Sequence, residues 1–137
     1  MEDRYLFKAK RISDGEWIVG YLYRLSENNP PFIMLRKYGE SYEVDEHTIC
    51  QCTGLKDKNS RLIWENDVVE IGEHEDTVNG LYKVIYCENA HCYALKRSVD
   101  FHYNFFTFSD LNGFETSSKV IGNIFDNPEL LESEEKE

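Results

Sequence analysis

The chain has 137 residues, 41% of them hydrophobic and 14% aromatic, which suits one domain around one core. Its 26 acidic residues against 15 basic ones give a formal charge of −11, and this disfavours duplex nucleic acid as a partner unless the cations gather on one face. No run approaches the ~18 apolar residues of a membrane-spanning helix, the opening Met1-Glu2-Asp3-Arg4-Tyr5 does not read as a signal peptide, and Cys50, Cys52, Cys87 and Cys92 are too irregular for a secreted disulfide scaffold. The expected location is therefore the cytoplasm, away from membranes, with reduced thiols.

Nine Tyr and eight Phe favour pleated surfaces, and strands are expected from the first residues onward. Tyr5 to Arg11 alternates imperfectly, with Lys8 and Lys10 on one face and Phe7 and Ala9 on the other, and Ser13-Asp14-Gly15 supplies a turn. Glu16 to Arg24 is rich in β-branched and aromatic residues, so 5–24 reads as a hairpin in which Gly20 marks a bulge. The diproline Pro30-Pro31 cannot continue a sheet ladder and makes Ser26 to Pro31 a loop. Phe32 to Leu35 resumes a strand, Lys37 to Glu40 turns it, and Tyr42 to Cys52 is a further extended stretch, so 5–53 forms an N-terminal β region.

Between 61 and 71, two apolar runs flank Glu65-Asn66-Asp67, a turn signal because Asn66 tolerates positive φ. After a polar loop from Gly72 to Gly80, strands are expected at Leu81 to Tyr86, His91 to Arg97 and Val120 to Ile124. Asp100 to Asp110 is a strand or a packed loop, and Asn127-Pro128-Glu129-Leu130-Leu131 can open one helical turn with Pro in its first position. Residues 132–137 read as a solvated acidic tail. The predicted fold is mainly β: an N-terminal β-hairpin region packed with an SH3-like small β-barrel over 61–125, and little helix.

Candidate chemistry is sparse. Asp57, Glu65 and Asp67, if gathered with Lys56 or Lys58, would suit Mg²⁺ and phosphodiester cleavage, whereas as isolated Asx residues they cap turns. The one-residue gap in Cys50-Gln51-Cys52 and the Cys87-x4-Cys92 spacing with His91 do not match zinc knuckles, so no metal and no cofactor is expected. Neither His47, His74, His91 nor His102 stands in a nucleophile motif, and phosphate-binding loops and His-Glu-x-x-His are missing from the sequence. Phe101, Tyr103, Phe105, Phe106 and Phe108 form an aromatic cluster that could stack single-stranded bases. With only Lys96 and Arg97 between Ala90 and Gly113, it fits core or subunit-interface packing better.

Three blocks occur together: Thr53-Gly54-Leu55-Lys56-Asp57-Lys58-Asn59, then Ile63-Trp64-Glu65-Asn66-Asp67-Val68-Val69, then Val120-Ile121-Gly122-Asn123-Ile124 leading into Asn127-Pro128-Glu129-Leu130-Leu131. With the opening Phe7 to Arg11 and the strand from Trp17 to Tyr23, they resemble the YopX protein family over roughly residues 5–131. Ser60 and Asn66 stand where members of that family usually carry glycine. The resemblance implies a phage or prophage origin in a bacterial host cell, one YopX-like β-rich domain over 1–131, self-association and no agreed activity. Thr53, Gly54, Leu55, Asp57, Trp64, Glu65, Asp67, Ile121, Gly122 and Asn123 are its motif residues, read here as mostly structural.

The expected function is thus a non-enzymatic phage accessory module that self-associates and contacts a host or phage protein. A single-stranded nucleic-acid binder using 101–108, and a metal-dependent nuclease at Asp57, Glu65 and Asp67, are the competing readings.

Overall fold

The structure is a computed structural model and describes residues 5–35, 39–72, 80–88, 91–96, 105–107 and 117–130. The turn expected at Lys37-Tyr38, most of the loop from 72 to 80, Leu131 and the acidic tail 132–137 lie outside the described residues. The chain divides into two compact units, 1–54 and 55–137. Both are mainly β, as the aromatic and β-branched composition requires, and no helix among the described residues is long and apolar enough to cross a membrane.

In the first unit, strands β1 (Phe7–Lys10), β2 (Trp17–Tyr23), β3 (Phe32–Met34) and β4 (Ser41–Glu43) form an antiparallel meander. Strand β5 (Cys50–Lys56) returns to pair with β1, giving the order β4-β3-β2-β1-β5. The sheet curls because Arg11, just past β1, bridges Val44, just past β4. Alternation decides the inner face: Ala9, Ile18, Ile33 and Val44 are buried together, while Val19 and Tyr21 point the other way and stay exposed.

Two local expectations need correction. Gly20 is not a bulge, since β1 and β2 pair without interruption from Phe7↔Gly20 to Lys10↔Trp17. It is glycine because β3 approaches too closely: a Cβ there would lie 2.1 Å from the Met34 carbonyl oxygen. Nor is Tyr42 to Cys52 continuously extended. A 3-10 turn, Glu46–Thr48, interrupts it after Asp45, whose carboxylate accepts the His47 N–H at 3.0 Å. The Thr48 hydroxyl then accepts the Lys10 N–H at 2.9 Å, so the interruption is paired on both sides.

In the second unit, β7 (Asp67–Ile71), β8 (Gly80–Cys87), β9 (Cys92–Lys96), β10 (Phe105–Thr107) and β11 (Ser118–Asn123) make a five-stranded antiparallel sheet in the order β10-β9-β8-β7-β11. Strand β6 (Leu62–Trp64) lies outside this five-stranded sheet. Ile63, Val69, Ile71, Tyr82, Val84, Leu95 and Val120 form the core. The SH3-like closure expected over 61–125 is not among the described strand pairings; they show the sheet alone. A bulge does occur in this unit, where the β7–β11 register shifts between Val120 and Gly122.

Candidate functional site

The motif residues Asp57, Asp67 and Asn123 each hold a turn. Asp57 is 4% exposed, and its Oδ1 accepts the N–H groups of Asn59 and Arg61, both at 2.9 Å. Its Oδ2 accepts the Val120 N–H from β11 at 2.8 Å. Burial pushes this carboxyl up, but the three backbone donors and the nearby Arg61 charge outweigh it and hold Asp57 below the ordinary carboxylate range. Asp67 Oδ2 accepts the Trp64 N–H at 2.8 Å, and Asn123 Oδ1 accepts those of Phe125 and Asp126, both at 2.9 Å.

The glycine positions follow from the same turns. Ser60 and Asn66 have φ of 64° and 72°, the left-handed region in which a Cβ is costly and Asn fits better than most residues. Gly122 leaves room for Asn127, whose Oδ1 would lie 2.5 Å from a Cβ.

This geometry does not assemble a metal centre from Asp57, Glu65 and Asp67, because the two aspartates are directed into their own turns. Among the described residues no three His, Cys, Asp or Glu side chains are grouped to hold a metal ion. Cys50 and Cys52 are buried, Cys87 and Cys92 sit opposite each other on β8 and β9, and none of the four is in a disulfide. Of the aromatic segment, Phe105 and Phe106 lie in β10, paired with Lys96 and Leu95, while Phe101, Tyr103 and Phe108 lie outside the described residues. His74 and His102 also lie outside them.

A different feature has the shape of a site. In the first unit a groove of about 440 Å³ opens between three loops that are far apart in sequence. Ile12 comes from the β1–β2 turn, Arg24 and Asn28 to Pro31 from the β2–β3 loop, and Glu43 to His47 from the 3-10 turn and its approach. The loops are tied together by backbone bonds: Ile12 N–H donates to the Glu43 carbonyl at 3.1 Å and Val44 N–H to the Pro31 carbonyl at 3.1 Å. Ser26 and Asn29 bond side chain to side chain within the middle loop.

The groove is mixed in character. Arg24 reaches Glu46 at 3.0 Å, and both remain partly exposed, so the pair is a weak solvent-screened one. Ile12 is 58% exposed beside it, and the neighbouring Leu25 is 77% exposed. In the sequence Ser26 to Pro31 reads only as a loop, His47 stands in no nucleophile motif, and nothing singles out Arg24, Glu43 or Glu46. The diproline was the one available signal.

A profile described as YopX protein matches residues 9–132. Among solved structures, the chain is similar to protein EF1440 from Enterococcus faecalis, with a TM-score of 0.52 and 24% identity over 91% of this chain and 96% of that one. That likeness concerns the fold. No curated protein matches the chain.

Proposed function

The chain belongs to the YopX protein family, and we propose that it is a non-enzymatic, self-associating accessory module of phage or prophage origin that contacts a protein partner through the groove of its N-terminal unit. The groove is the observation that carries this reading. Its walls are fixed by backbone hydrogen bonds, so little ordering is required when a partner binds. Its polar groups among the described residues are an ion pair, a turn cap and loop amides, an arrangement that suits recognition. Exposed Ile12 adds apolar area to the groove wall, as binding surfaces use.

A photo-crosslinking residue placed at Asn29, in bacterial cells that carry the parent phage, tests it. A discrete protein adduct at Asn29, with none when the same residue replaces Glu70 on β7, supports the reading. No adduct above background at either position contradicts it. Light scattering addresses self-association: a discrete species well above the 16.2 kDa chain is expected, and a clean monomer argues against it.

A further inference from the structure

We propose that the groove is built for an extended cationic segment of the partner protein, with a lysine or arginine stem over Ile12 and Pro30 and its charged head near Glu43 and Glu46. This deepens the binding-module function above and rests on it. The first support is charge. Three acidic residues, Glu43, Asp45 and Glu46, line the groove with one basic one, Arg24; the Asp45 carboxylate accepts the His47 N–H at 3.0 Å and Glu46 engages Arg24 at 3.0 Å. Residues 1–54 as a whole carry seven Lys and Arg against nine Asp and Glu, so this excess of acid is a local property of the groove. The chain's larger surplus, eight basic against seventeen acidic residues, lies in 55–137.

The second support is the pairing of apolar and acidic surface. Ile12 is largely exposed, and its N–H is bonded to the carbonyl of Glu43, which sets an apolar side chain next to a carboxylate-bearing residue. Lysine and arginine present that combination in reverse, an apolar stem ending in a charge. A nucleic-acid strand would meet the same carboxylates as repulsion. The groove is also open and fixed in place, which suits a few residues of extended chain.

The test is fluorescence anisotropy at low salt with a labelled decapeptide of alternating Arg and Gly, and with its Glu and Gly counterpart. The Arg peptide is expected to bind and the Glu peptide not to. Glu43→Gln with Glu46→Gln should weaken binding by about fivefold, and Arg24→Gln should strengthen it by about threefold, as exposed charge pairs are modest. Glu43→Gln alone, which leaves the Arg24–Glu46 pair intact, should lose about half of that effect on a logarithmic scale. Glu134→Gln with Glu135→Gln removes as much charge elsewhere and should change nothing. Equal losses from the tail and groove variants overturn the proposal, since the peptide would then be reading net charge. Equal binding of the Glu peptide overturns the cationic preference and leaves the binding module standing. No binding of either peptide overturns the proposal, while a positive crosslink at Asn29 would still uphold the function on which it rests.

Discussion

Asp57 holds the amide of Val120 at 2.8 Å across 63 residues of sequence, with the same carboxylate closing its own turn through Asn59 and Arg61. The turn at Asp57 in the first motif block is therefore tied to the strand of the third. Lys58 N–H, donating to the Ser118 carbonyl at 3.0 Å, makes a second tie between them.

Replacing Asp57 by Ala leaves three backbone donors without their acceptor, Val120 N–H among the buried bonds. The expected loss is about 3 kcal/mol of unfolding free energy in urea titration, with an m-value near the wild type. A loss under about 0.5 kcal/mol would show that water replaces the carboxylate without cost.

The same residue sets a pH dependence. The folded Asp57 carboxyl lies below the ordinary range, so its stabilisation is complete above the unfolded value near 4 and is lost as pH falls through the folded value. Wild-type stability should drop on acidification below about pH 4, and Asp57→Asn should drop less steeply there. Identical slopes for the two proteins would assign the acid sensitivity to other carboxylates.

Gly20→Ala puts a methyl group 2.1 Å from the Met34 carbonyl, so β2 and β3 must separate. We expect destabilisation by about 3 kcal/mol or failure to fold. Ser60→Gly should act in the opposite direction, gaining roughly 0.5 kcal/mol by relieving φ of 64° at an exposed turn. Thermal denaturation of both variants measures the contrast.

Thiol accessibility gives a check that does not depend on the groove. Cys50 and Cys52 are 1% and 0% exposed, whereas Cys87 and Cys92 are half-buried on β8 and β9. Two thiols should react with an aromatic disulfide reagent in the native protein, and the other two only on unfolding. Four rapidly reacting thiols would contradict the burial of β5.

Local patterns in the chain predicted what depends on local chemistry. The β-branched and aromatic run from Trp17 to Tyr23 predicted a strand, and the tolerance of Asn66 for positive φ predicted the turn after Trp64. What depends on approach between distant segments was not legible. Gly20 is glycine on account of Met34, a contact to a neighbouring strand that resembles a bulge signal when read in sequence. The turn at Glu46 to Thr48 was hidden because Asp45 and Thr48 are turn residues only once their partners, His47 and Lys10, are in place. The groove is the extreme case: Ile12, Arg24 and Glu46 meet only after the sheet curls through the Arg11–Val44 bridge.

The most direct test of the binding-groove account is an amide chemical-shift map of the ¹⁵N-labelled protein during titration with the Arg and Gly decapeptide. Shifts concentrated at Ile12, Arg24 to Asn29 and Glu43 to His47, with the motif turns at Asp57 and Asn123 unmoved, are predicted. Shifts spread over the acidic residues of 55–137 with the groove silent would contradict it.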